Sequence, residues 1–229
     1  MKIQPSHAMS NPNGEMEANV RLLPPTDTTP LRSRIPLTGA RRWVSPFEED
    51  VKASVSVFIT PESFIRFCAH AGTDLEREVG GGLVGEWHED EESGNSFILI
   101  DGVLPARHTR QGSAFLTFTQ DSLVSMNDEM EERFPEKQLV GWFHTHPRMG
   151  VFLSNYDVWL HRHFFPEAWQ VALVIEPHSA VGGFFIRQDD MTLDAHRYFG
   201  FYELGENEDS SVVHWRNLTM DESYERLEE

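Results

Sequence analysis

The sequence predicts a mixed α/β or α+β protein built on a mixed β-sheet, and three observations predict it. Apolar runs of strand length alternate with segments of helical periodicity from Val51 onward. Glycine and proline punctuate the joins, as at Pro61, Gly80–Gly82 and Pro147. The chain has 229 residues, enough for one medium domain with a full apolar core.

Taken in order, residues 1–45 read as a flexible, proline-rich extension. Of the 13 prolines, Pro5, Pro12, Pro24, Pro25, Pro30, Pro36 and Pro46 fall here or at its end, and neither helical nor strand period is visible. Trp43 and Phe47 mark its junction with a body at residues 46–204. Val51, Val55, Val57, Phe58 and Ile59 suggest a strand closed by Pro61. Thr60 is a cap and Pro61 the first position of a helix reaching about Leu75, with Cys68 on its apolar side. Val79 to Gly85 is a glycine-rich strand; Ser96–Leu104 and Ala114–Phe118 are two more. Leu123, Met126, Met130 and Phe134 share one face of a helix over Asp121–Arg133. Gln138–Phe143 reads as a buried strand, and a third helix is expected from near Ser154 to Phe165. Gln170–Ile175 and Gly182–Arg187 flank a turn near Pro177, Phe201, Tyr202 and Trp215 are expected to cover a sheet edge, and residues 205–229 form a peripheral acidic tail. No internal repeat is present.

Charge narrows the function. Nineteen Lys and Arg against 37 Asp and Glu give a net charge of −18, and no local basic patch interrupts it, so a nucleic-acid ligand is excluded. The acids cluster between Asp74 and Asp101, where Arg77 is the one base, and between Glu203 and Glu229, beside Arg216 and Arg226. Such runs suit a solvated face, or a face that steers a basic protein partner. No apolar stretch is long enough to span a membrane, and the N-terminus lacks the charged start and apolar run of a secretory signal. A single cysteine excludes an internal disulfide and a zinc site built from CxxC pairs. These features together point to a reducing, cytoplasmic compartment.

The chemistry concentrates in Gly141-Trp142-Phe143-His144-Thr145-His146-Pro147 and the residues after it. Positions i and i+2 of a strand point to one face, so His144 and His146 can offer two imidazole nitrogens to one cation. Pro147 stops a central strand and keeps His146 extended. Asp157, in the first turn of the third helix, can add a carboxylate. Two imidazoles, one carboxylate and water in the fourth position make an open, catalytic zinc arrangement. Hydrolysis also needs a base, for which Glu78 is the candidate, and an oxyanion donor, for which Ser154 is the candidate. Each part has a plainer reading. A lone His-x-His pair is often structural, Ser154-x-x-Asp157 is also a helix N-cap signature, and the glycines of Gly80–Gly85 also suit close strand packing. His161 and His163 read as surface or supporting histidines rather than ligands.

Together the parts resemble a specific signature. Glu, a long gap, His-Ser/Thr-His-Pro and then Ser-x-x-Asp is the pattern of the JAMM (MPN+, JAB-domain) metalloproteases. Here it is Glu78, His144-Thr145-His146, the seven residues Pro147–Leu153, and Ser154-x-x-Asp157, with no position missing. Val79 to Gly85 and Val140-Gly141-Trp142-Phe143 also look like that family, the likeness spans roughly Val51 to Phe201, and it is closest to prokaryotic stand-alone members. The resemblance implies a curved mixed sheet flanked by helices, of cytidine-deaminase-like architecture, and one catalytic Zn2+. It implies His144, His146 and Asp157 as metal ligands, Glu78 as general acid/base and Ser154 as oxyanion stabiliser. It also implies hydrolysis of peptide or isopeptide bonds in conjugates or precursors of ubiquitin-like proteins.

On this reading an extended substrate tail lies along an exposed strand edge, with Pro105–Ser113 as a substrate-contacting loop or an ordinary exposed one. The rival is a non-catalytic interaction scaffold of the same fold. A structural zinc takes four protein ligands, and only three are assignable, which favours catalysis. A nucleoside deaminase would need a CxxC pair, and an amidohydrolase barrel about 250 residues in eight strand–helix units.

Overall fold

The computed structural model describes residues 29–48, 52–106, 109–111, 116–118, 120–205 and 210–221. In chain order the elements are β1 (Leu31–Ser33), β2 (Ala40–Val44), β3 (Ser56–Ile59), α1 (Pro61–Ala71), β4 (Gly80–Asp90) and β5 (Ser96–Pro105). There follow β6 (Thr109–Gln111), β7 (Leu116–Phe118), α2 (Gln120–Arg133), β8 (Gln138–Thr145) and α3 (Asn155–Phe164). The last are β9 (Val171–Glu176), β10 (Val181–Phe185), β11 (Phe201–Leu204) and β12 (Thr219–Met220). The expected mixed α+β class is what forms. The main sheet runs β10-β9-β8-β4-β5-β3-β11-β2-β12, with β1 beside β4, and β6–β7 form a separate ribbon. β4 is antiparallel to β5 and β8, whereas β8–β9 and β3–β5 are parallel. Register shifts at Leu83/Val84 against β8 and at Val84/Gly85 against β5 curl the sheet near its middle.

Alternation along the strands supplies a core on each face. Phe143, Leu173 and Phe184 join Phe64 and Phe67 of α1, while Trp142, Ala172, Val174 and Phe185 join Met126 and Met130 of α2 and Leu160 of α3. Among the described residues no helix is long and apolar enough to cross a membrane.

Helix α1 starts where the sequence places it, with the Thr60 side chain accepting from the Ser63 N–H and Pro61 in the first turn. It stops short of Leu75. The Gly72 N–H closes the last turn on the Cys68 carbonyl at 3.1 Å, and Asp74 Oδ1 accepts from the Glu76 and Arg77 amides, folding the segment into a local turn. The other two helices match closely, although the Leu123 side chain expected on α2 lies outside the described residues. Of the segment Pro105–Ser113, residues 107, 108, 112 and 113 lie outside them too, and Thr109–Gln111 forms β6.

Both ends of the body extend further than the sequence suggests. β1 and β2, inside the expected extension, belong to the main sheet: β2 pairs with β11 and β12, and β1 lies parallel to β4 where β8 has left it. β11 does not cover an edge; it sits between β3 and β2. Val213, Trp215 and Leu218, placed by sequence in the tail, are buried in the core beside α1. The buried Glu203 ties this segment down, accepting from Trp43 Nε1, Ser211 Oγ and the Val212 N–H. These short strands carry too few residues to show a period of two, and their partners are distant in sequence. Residues 1–28 of the extension and 206–209 and 222–229 of the tail lie outside the described residues.

Gly81 explains the glycine run: a Cβ there would run into the Leu104 carbonyl and stand 2.9 Å from Phe143 Cε1. Gly81→Ala is therefore expected to destabilise the fold by about 1–3 kcal/mol, as overpacking of a tight strand pair does. Urea unfolding measures this, and an unchanged midpoint would mean that β4 and β5 separate freely.

Candidate active site

Two interlocked features bring the site together. At the end of β8, His144 shares the face of Trp142, and His146, one step past the strand, keeps that face while its N–H donates to the Ile175 carbonyl at 2.9 Å. Thr145, pointing the other way, grips the segment that carries Glu78. Its N–H donates to the Val79 carbonyl at 2.8 Å and its Oγ1 accepts from the Val79 N–H at 2.9 Å. That segment is held outside as well, by a bidentate Arg148–Glu76 pair at 3.0 and 3.1 Å and by His178 Nε2 against the Leu75 carbonyl at 2.8 Å. The second feature is the start of α3. Ser154 caps it, with Oγ accepting from the Asp157 N–H at 3.2 Å, while Asp157 Oδ2 accepts from the Ser154 N–H at 2.7 Å. This reciprocal box fixes Asp157 on the helix N-terminus, where negative charge is favoured.

The result is a buried cluster. His144 is 0% exposed, and His146 and Asp157 are each 2% exposed. The two Nε2 atoms are 2.9 Å apart; His144 Nε2 lies 3.5 Å from Asp157 Oδ1 and His146 Nε2 lies 3.8 Å from Asp157 Oδ2. Glu78 Oε1 stands 3.9 Å from His146 Nε2, within reach of a single bridging water. Phe152 packs against the His146 ring at 4.7 Å, and the Trp142 ring stacks on His144 at 4.7 Å and 10°.

Burial pulls the His144 imidazole below its ordinary pKa, despite the neighbouring Asp157 carboxylate. Burial also opposes charge on Asp157. The adjacent His144 and the hydrogen bonds of His144, His146 and Ser154 outweigh it, so the carboxyl stays well below the usual range. Two imidazoles and a carboxylate thus turn ligand atoms toward one small volume. A cation satisfies all three at once, whereas a hydrogen bond between the two rings satisfies one pair. Ligands bonded tetrahedrally at about 2.0–2.1 Å stand about 3.3 Å apart. The three observed separations bracket that spacing, and the donor set of two nitrogens and one oxygen suits zinc. The residues fit the ion.

All five residues named from the sequence meet here: Glu78, His144, His146, Ser154 and Asp157. Four others are not singled out by the sequence. Thr145 was visible only as the middle of His-Thr-His, Arg148 and Glu76 as two charges 72 positions apart, and Trp142 as an apolar strand residue. His163 is on the surface as expected, but His161 is fully buried and accepts from Trp142 Nε1 at 3.1 Å.

The family model described as JAB1/Mov34/MPN/PAD-1 ubiquitin protease matches residues 52–166, half of the chain. The chain belongs to this family. All five site residues fall within the matched JAB segment, and β9 to β12 continue beyond it. Among curated relatives, COP9 signalosome complex subunit 5 of Candida albicans is 31% identical over 49% of this chain and 18% of its own length. The Caenorhabditis elegans subunit 5 is 27% identical over 76% of this chain and 46% of its own length. Ubiquitin carboxyl-terminal hydrolase RPN11 of Saccharomyces cerevisiae is 24% identical over 56% and 40%. The chain thus spans less than half the length of each of these relatives.

Proposed function

We propose that this JAB-family chain is a cytoplasmic zinc metalloprotease or isopeptidase that cuts at the C-terminus of a ubiquitin-like protein, either releasing a conjugate or processing a precursor. One observation carries the reading: three buried donors converge on one volume, with Glu78 Oε1 3.9 Å from His146 Nε2. The substrate class is supported by the family match and by the names of the relatives, one of them a ubiquitin carboxyl-terminal hydrolase.

His144, His146 and Asp157 hold the ion. Zinc, when bound, supplies Lewis acidity that makes a water acidic near neutral pH and polarises a carbonyl. Glu78 takes a proton from the attacking water as its oxygen bonds to the scissile carbonyl carbon. Ser154 donates its hydroxyl proton toward the developing oxyanion while its oxygen keeps accepting from the Asp157 N–H. Glu78 then returns the proton to the departing amine as the C–N bond breaks. Phe152 and Trp142 wall the histidines with apolar surface and keep bulk water off them. An extended substrate tail bound along a strand edge would present its carbonyl here through backbone hydrogen bonds.

The test is a linear or isopeptide-linked ubiquitin-like fusion incubated with zinc-loaded protein. Cleavage is expected, together with about one zinc per chain; a chelator should abolish it and added zinc restore it. Zinc binding with no cleavage across a panel of such substrates would favour a scaffold, and absence of zinc uptake would remove the metal reading altogether.

A further inference from the structure

A metal-binding histidine normally has its second ring nitrogen fixed by a hydrogen bond, which sets ring orientation. His144 departs from this: its Nδ1 is buried and has no hydrogen-bond partner among the described residues. What lies on its ring is the Trp142 indole, parallel to within 10°. The plane of Trp142 is set in turn by its Nε1–H, which donates to His161 Nδ1 at 3.1 Å, and by Phe165, stacked at 6.2 Å and 20°. His161 is 0% exposed, stacks on the same Phe165 at 6.1 Å and 13°, and stands one turn beyond Asp157 on α3. Because its Nδ1 accepts, the ring proton sits on Nε2, which has no partner among the described residues. A buried N–H left without a partner is costly, and an apolar residue of similar size would avoid it. The acceptor at Nδ1 is what a histidine supplies here and a leucine would not.

We propose that His161 is a positioning residue that orients the His144 ring through Trp142. One helix then governs two of the three proposed ligands: its first turn carries Asp157, and its second fixes the indole on which His144 is stacked. The inference rests on the zinc reading above, and its test is kept separate from activity.

The experiment is zinc affinity of the metal-free full chain, by competition with a chromophoric chelator, for wild type, His161→Gln, His161→Leu and Trp142→Phe. Glutamine keeps an acceptor oxygen for Trp142 Nε1 and should bind zinc within about threefold of wild type, whereas leucine should bind about tenfold more weakly. Trp142→Phe keeps an aromatic face but loses the N–H, and should weaken zinc as leucine does. Thermal unfolding of each metal-free variant shows whether it is folded; if His161→Leu is not, the Trp142→Phe result decides. Wild-type zinc affinity in a folded His161→Leu or in Trp142→Phe overturns the proposal, as does His161→Gln weakening as far as leucine. Failure of the wild type itself to bind zinc would instead count against the metal reading.

Discussion

Glu78→Gln is expected to lower the rate of cleavage by about 10²–10⁴-fold, the contribution of a positioned acid/base group, while leaving zinc content unchanged. Its Oε1 approaches the cluster only at 3.9 Å from His146 Nε2, beyond direct bonding, so its removal should not loosen the ion. The amide has nearly the same shape, so the Val79–Thr145 clasp that places this segment survives the change. What disappears is the ability to accept a proton from water and return it to an amine. Single-turnover cleavage alongside zinc analysis separates the two effects. Turnover near the wild-type rate would remove Glu78 from the chemistry, and lost zinc would make it a ligand instead.

The candidate site is more legible in the sequence than the sheet is, for a physical reason. Its parts are short-range: His144 and His146 are fixed by a strand period of two, and Ser154 and Asp157 by a capping box closed within three residues. Placing Glu78 beside them needs β4 and β8 to pair, and the tight glycine strand gives a hint of that through the close approach it permits. The sheet margins carry no comparable signal. β2 pairs Trp43 with Phe201 and Met220, contacts that close loops of more than 150 residues, and four of its five residues are only partly buried, two of them arginines. Nothing local distinguishes such a strand from the proline-rich segment before it. The sequence leaves His161 as either a surface or a supporting histidine; its partner Trp142 lies on another element, so only the packing decides between the two.

Asp157 serves as both cap and proposed ligand, so two substitutions should divide its effects. Asp157→Ala removes the acceptor for the Ser154 N–H as well as the carboxylate, and should lose about 0.5–2 kcal/mol of stability along with zinc. Asp157→Asn keeps a side-chain oxygen for that N–H, so its metal-free stability at neutral pH should lie nearer the wild type. Its zinc affinity should still fall by more than about 100-fold, since even partners that only support a ligand cost 10–100-fold. The acid side adds an independent readout on the metal-free protein. The folded-state pKa of Asp157 lies well below its unfolded value, so its stabilising contribution is present above about pH 3.9 and is lost as pH falls through the folded value. Asparagine has no such titration, and the variant should lose less stability than the wild type between about pH 4 and pH 2. Urea midpoints across that window measure the difference. Parallel curves would mean that Asp157 is not held ionised by its neighbours, and undiminished zinc binding by Asp157→Asn would take it out of the ligand set.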